Sequence, residues 1–257
     1  MPTDSFGWIG FLIQEYGSMF LQGTGTTMLV AIIGTIAGFG IGLIVAIVRT
    51  IPIEPKDSAV KKVLMKILRG ILIAYIEIFR GTPMMVQAMV VYYGALEYLG
   101  LDIPAMTAAF LVVSVNTGAY MAEILRGGIL SVDPGQKEAA IAVGMTHWQL
   151  MTSVVLPQAV RNTLPSVGNE FVVNIKDSSV LNVISVTELY FTARSVSGTH
   201  YKYFEVFFII SVIYFVLTFT ITRLLRLLEK KLSGGDSYTI YGSQTDGKAE
   251  IKVGGEA

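Results

Sequence analysis

The chain has 257 residues, of which 53% are hydrophobic and only 15% charged, with a mean hydropathy of +0.61. Ordinary soluble domains carry about 25% charged residues, so a soluble fold of this composition lacks the polar surface to cover itself. The 19 basic and 19 acidic residues balance, which removes bulk charge as a reason to bind nucleic acid. The absence of cysteine excludes disulfides, thiolate metal sites and cysteine nucleophiles. His147 and His200 lie far apart and build no histidine-rich metal site by themselves.

A helix needs about 20 mostly apolar residues to cross a hydrocarbon core about 30 Å thick. Residues 1–25 have no Lys or Arg and no small-residue cleavage site, so they are not read as a secretory signal. Their aromatic residues (Phe6, Trp8, Phe11, Tyr16, Phe20) predict a short helix lying at the membrane interface, outside the membrane domain proper. Residues 26–48 form the first span and hold no charge. Within it Gly34, Gly38 and Gly42 strip one helix face to backbone, for close approach of another helix of this chain or of a second subunit.

The second span, residues 71–93, is interrupted by Glu77, Arg80 and Pro83. Charges at membrane depth cost about 2.5–3.5 kcal/mol each on insertion scales and face protein or water. Glu77 and Arg80 are three apart and can pair on one helix face. Gly81, Thr82 and Pro83 then break the helix, since Pro83 removes a donor and restricts Thr82. The third span, residues 103–125, sets Asn116, Tyr120 and Glu123 on one face.

Residues 126–161 predict two short helices meeting at a glycine corner. Asp133 caps the first, Pro134 occupies its first position, and Gln136 stands at a capping-box-like spacing. Gly144 ends that helix in a left-handed turn. Thr146 and Gln149 start the second, and Pro157 ends or kinks it.

The fourth span, residues 164–184, carries Glu170 and then a second break at Lys176, Asp177, Ser178 and Ser179. The fifth covers residues 204–225. Two interrupted spans predict a cavity near the membrane middle, with Glu77–Arg80 and Lys176–Asp177 either serving a substrate path or bracing helices. Residues 233–257 read as a disordered tail. Within it Gly242 to Ala249 imitates a phosphate-binding loop, but Ala249 replaces the magnesium-binding hydroxyl and no apolar strand precedes it.

Fifteen Lys and Arg fall on one set of alternate connections and two on the other. The positive-inside rule therefore puts the N-terminus outside and the C-terminus in the cytoplasm, as five spans require. This is an all-α integral membrane protein.

At this point the sequence resembles a known family. Glu138-Ala139-Ala140, then Gly144, then Leu156-Pro157 reproduces the EAA loop of the permease subunits of binding-protein-dependent ABC importers, with Val154 in place of the pattern's isoleucine. The stretch Phe79 to Pro83 with Gln87 resembles the polar amino acid branch of that family. So do Ala119-Tyr120 through Glu123 with Arg126-Gly127-Gly128, and Lys176 to Ser179 followed by Thr187-Glu188-Leu189. The similarity covers residues 23–232.

The resemblance implies a type I importer permease fold in the bacterial inner membrane, with the EAA loop docking in a cleft of a separate ATPase. It implies two ATP-binding subunits that hold ATP and magnesium, a second permease chain (identical or paralogous), an extracytoplasmic solute-binding protein and a small amino acid as substrate. No cofactor and no catalytic residue are expected in this chain. A secondary transporter or channel is the rival reading, which explains the intramembrane charges but not the loop pattern.

Overall fold

The computed structural model describes residue 2, residues 4–53 and residues 55–232. The predicted tail and its phosphate-loop imitation lie outside the described residues, as does Glu54. The described residues are helical throughout, with no strand. The order is α1 (Ser5–Thr50), α2 (Ala59–Gly81), α3 (Met84–Leu99), α4 (Ala105–Leu130), α5 (Pro134–Ala142) and α6 (His147–Leu150). A π-helical turn (Met151–Val155) follows, then α7 (Leu156–Asp177), a 3-10 helix (Ser178–Ile184), α8 (Leu189–His200) and α9 (Tyr203–Leu232). Three helices are long and apolar enough by themselves to cross a membrane: α1, α4 and α9.

Helices α1 and α4 form the centre. A Cβ added at Gly34 would stand 2.3 Å from Val113 Cγ1, one at Gly38 2.7 Å from Thr117 Cβ, and one at Gly42 2.4 Å from Met121 Cβ. The three glycines thus meet three α4 residues in equal steps of four, so the two helices run parallel and nearly touch backbone to backbone. The glycine stripe serves packing within the chain. Helix α2 continues into α3 antiparallel to α4: Ile76 packs with Ala122, and Ala88 packs with Val112 and Val113. Helix α7 also runs antiparallel to α4, with Gly128 against Thr163 at one end and Thr117 bonded to Asn174 higher up.

Residues 1–25 do not form a separate interfacial helix. Their described part is the first half of α1, which stays helical because Gly17, Gly23 and Gly25 weaken a helix without breaking it, and no proline intervenes. Trp8, Leu12 and Phe20 bury against Leu189, Ala193, Val206 and Ile209 of α8 and α9. Gly23 permits this: a Cβ there would lie 3.0 Å from Leu189 Cα.

Candidate functional site: a capped loop and two broken helices

The loop between α4 and α7 folds as its caps dictate. The Asp133 carboxylate accepts from Gly135 N at 2.7 Å and Pro134 opens α5. The helix closes with Met145 N on Ala140 O at 3.1 Å, Gly144 N on Ile141 O at 2.9 Å, and Gly144 at φ +83°. That pattern of two nested bonds around a left-handed glycine satisfies the last carbonyls of α5. Thr146 and Gln149 then form a reciprocal capping box.

Two details depart from expectation. Gln136 does not reach back to cap α5; its Oε1 accepts from Gln158 Nε2 at 2.6 Å and ties α5 to α7. Pro157 does not end the helical run. The π-helical turn 151–155 widens the chain just before it and carries the helical run on into α7, with Pro157 in the first turn of that helix.

Ala140, Leu150, Met151 and Val155 anchor the loop in the core with Leu125 and Ile129 of α4. Lys137 Nζ donates to Ile129 O at 3.1 Å. The opposite side is open: Glu138 and Ala139 are exposed, and so are Ile141, Val143, Met145 and Trp148. Glu138 makes no bond among the described residues, so it does not cap the loop. The exposed apolar group around Gly144 escaped the sequence reading. The signal was the apolar pair Ile141 and Val143 at the end of a short helix.

The first break is solved by amides from neighbouring helices. Pro83 has no N–H for the carbonyl of Phe79, four residues earlier. Asn116 Nδ2 of α4 and Gln87 Nε2 of α3 both donate to Phe79 O, each at 3.0 Å. Gln87 also donates to Thr82 O at 3.0 Å and Thr82 Oγ1 at 2.9 Å, and its own Oε1 accepts from Asn116 at 3.0 Å. The freed backbone is therefore satisfied inside the protein. Glu77 and Arg80 do not pair: Glu77 is exposed, and the Arg80 guanidinium lies 5.2 Å from the centre of the Tyr120 ring.

Glu123 stands apart from this cluster. Its carboxylate accepts from Arg49 of α1 on one oxygen and from Arg126 on the other, at 2.9 Å from Nη2 and 3.2 Å from Nε. It knits the C-terminal ends of α1 and α4.

At the second break the α-helix tightens into a 3-10 helix at Ser178. Ser178 is fully buried and its hydroxyl donates to Ile175 O at 2.9 Å. Ser185, at φ 64°, ends the 3-10 segment. Lys176 and Asp177 are exposed, and no ion pair joins them. Lys176 and Ser179 line a pocket of about 290 Å³ with Tyr190, Phe207, Ser211 and Tyr214 of α8 and α9. Glu170 is buried, one turn before Asn174, which bridges Thr35 of α1 at 2.9 Å and Thr117 of α4 at 3.0 Å. The breaks adjoin through an apolar layer in which Met84 and Ala88 meet Leu181, Ile184 and Val186.

A helical bundle with long apolar helices, charge-bearing broken helices and a capped connecting loop is the architecture of a polytopic membrane protein. This chain belongs to the family described as binding-protein-dependent transport system inner membrane component, whose model matches residues 58–234. It is 32% identical over 215 residues to the glutamine transport system permease protein GlnP of Escherichia coli strain K12, covering 83% of this chain and 93% of that one. It is also 32% identical to the arginine transport system permease protein ArtQ of Bacillus subtilis, over 84% of this chain and 93% of that one. Its fold matches a crystal structure of an amino acid ABC transporter with histidines, with a TM-score of 0.76, 37% identity, and coverage of 90% and 100% of the two chains. The MetNI methionine ABC transporter, at 19% identity and a TM-score of 0.67, shares the fold.

Proposed function

We propose that this chain is the permease subunit of an ATP-driven amino acid importer, with its N-terminus outside, its C-terminus in the cytoplasm and five spans. The spans are α1, the α2–α3 pair, α4, α7 with its 3-10 extension, and α9. The permease relatives and the two interrupted spans support this reading, and the loop around Gly144 carries it. That loop presents Glu138, Ala139 and an exposed apolar group, while Ala140 and Leu150 root it in the bundle. A rigid, capped lever of this kind passes motion from a docked ATPase directly to α4 and α7. ATP and magnesium belong to two partner ATPase subunits. A solute-binding protein delivers the substrate from outside.

The candidate path runs past the two breaks. Arg80 and Tyr120 border the first, and Lys176 with Asp177 the second. Lys176 supplies a cation for an amino acid carboxylate, and Asp177 balances it or receives the ammonium. Glu77, Gly81 and Glu170 complete the candidate lining. Thr82, Pro83, Gln87, Asn116 and Ser178 shape it through the backbone. One chain has too few spans to enclose an amino acid, so a second permease chain, identical or paralogous, closes the path.

The test is reconstitution of the purified complex with its ATPase subunit and binding protein, followed by uptake from a panel of amino acids. Amino-acid-stimulated ATP hydrolysis coupled to uptake is expected. Uptake by the chain alone, driven by an ion gradient and indifferent to ATP, would establish the secondary-transporter reading instead.

A further inference from the structure

Helix α2 is longer than its place in the bundle requires. Arg69 Nη2 donates to Ile51 O, just past the end of α1, and Ile76 packs level with Ala122, eight residues before the end of α4. Residues 59–68 therefore continue about 15 Å beyond the ends of α1 and α4, at about 1.5 Å per residue. None of these ten residues is buried. On a helical wheel they divide into an apolar and a basic side, with Met65 standing among the basic residues. Val60, Val63, Leu64 and Ile67 form one stripe, continuous with Ile71 and Ile78 further along, and Val60 is 77% and Leu64 62% exposed. Lys62, Lys66 and Arg69 lie on the opposite side, with Lys61 at the margin. From Ala59 to Ile76 there are four basic residues and no acid.

We propose that residues 59–68, the continuation of the spanning helix α2, cross the headgroup layer of the cytoplasmic leaflet and bind anionic phospholipid there. The proposal rests on the cytoplasmic placement of this end given above. An apolar stripe that continues an exposed apolar stripe, backed by four basic residues with no acid in residues 59–76, fits an anionic membrane surface. The apolar side chains enter the acyl boundary while the lysine stems carry their ammonium groups to phosphates. A second copy of the chain fits worse, because a two-fold contact sets the same basic residues against each other. Lys66 is the residue most available to phosphate. Lys61 is paired with Asp57 at 2.6 Å, and Lys62 donates to Pro55 O at 2.6 Å.

Spin-labelled phosphatidylglycerol and phosphatidylcholine, added separately to the full chain in vesicles, report how strongly each lipid occupies the protein's boundary. A basic residue near an anionic surface is worth about fivefold in affinity. Phosphatidylglycerol should be preferred by the parent chain at low salt, and high salt should erase the preference. Lys66→Gln should reduce it about fivefold, and the Lys61→Gln, Lys62→Gln, Lys66→Gln chain should lose it. Lys66→Arg should keep it, which separates charge from folding.

Equal occupancy by both lipids in the parent chain, or an unchanged preference in the triple variant, overturns the proposal. Because the chain has no cysteine, Leu64→Cys offers a unique label. A fluorophore there should shift when phosphatidylglycerol is introduced. A shift only on adding the ATPase subunit would assign the surface to that protein and overturn the proposal. Reaction of Leu64→Cys with an impermeant reagent from the outer side would instead refute the orientation, independently of the lipid result.

Discussion

Asn116 of α4 donates its side-chain amide at 3.0 Å to the carbonyl of Phe79 in α2, supplying the bond that Pro83 cannot. A proline break is thus held open and closed off in one step, by a residue of another helix. Removing Asn116 leaves Phe79 O with Gln87 as its one side-chain donor and takes the donor from Gln87 Oε1, at a cost of about 1–3 kcal/mol. Asn116→Leu should therefore lower the thermal stability of the detergent-solubilised chain. Gln87→Leu should act in the same direction, and the double variant should depart from additivity, since each single variant leaves Phe79 O one side-chain donor and the double variant leaves it none. Stability equal to the parent in Asn116→Leu would mean the break needs no clamp.

Gly144 sits at φ +83° with open space where a Cβ would be. The obstacle to substitution is the backbone, not crowding. A β-branched residue there costs about 1–3 kcal/mol of strain or forces the corner to open. Gly144→Val should leave membrane insertion intact but separate ATP hydrolysis from uptake, or block association with the ATPase. Gly144→Asn, which tolerates the left-handed region, should retain most coupling. Full coupling in the valine variant, read as transport per ATP hydrolysed, would remove the corner from the mechanism.

The α1–α4 contact distinguishes two kinds of close approach. A Cβ at Gly34 meets chiefly the Val113 side chain, at 2.3 Å, whereas one at Gly42 meets Ala122 N at 2.8 Å as well as Met121 Cβ. Overpacking costs about 1–3 kcal/mol. Gly34→Ala should be rescued by Val113→Ala. Gly42→Ala should resist rescue by Met121→Ala, because the backbone and Cβ remain. Thermal melts of the four chains decide it, and equal rescue at both sites would contradict the packing.

The charged residues split between two roles. Lys176 is exposed beside a pocket and joined to Asp177 by no ion pair. Lys176→Met should assemble with near-parent stability while uptake and substrate-stimulated ATP hydrolysis fall together. Glu123 is held by two arginines. Glu123→Gln should lower stability by about 1–3 kcal/mol without changing which amino acids are taken up. Parent-like uptake by Lys176→Met, or altered selectivity in Glu123→Gln, measured on the reconstituted complex, would reverse the assignment.

Much of this arrangement was legible in residue order. The apolar runs, the caps at Asp133 and Thr146, the left-handed turn at Gly144 and the breaks at Pro83 and Ser178 are local. Each follows from hydropathy, a missing N–H or a missing Cβ within a few residues. Local rules failed where a neighbour supplied the decisive term. The aromatic residues of 1–25 suggested a separate interfacial helix, but they continue into α1 and pack on α8 and α9. Pro157 suggested a stop, but a π-helical turn absorbs it.

By itself, the sequence determined a polytopic helical membrane protein, its loop architecture and its family, because each rests on composition or on spacing along one helix. Only the tertiary structure decided the partners of the polar groups. Glu77 stands three residues before Arg80 on the same helix, yet the Arg80 guanidinium takes the Tyr120 ring. Glu123 takes Arg49 from 74 residues away, and Asn116 takes Phe79 O from 37 away. A buried carbonyl or charge in a membrane has to find a partner, and which one it finds depends on which helix lies against it, a fact that no periodicity along a single helix encodes.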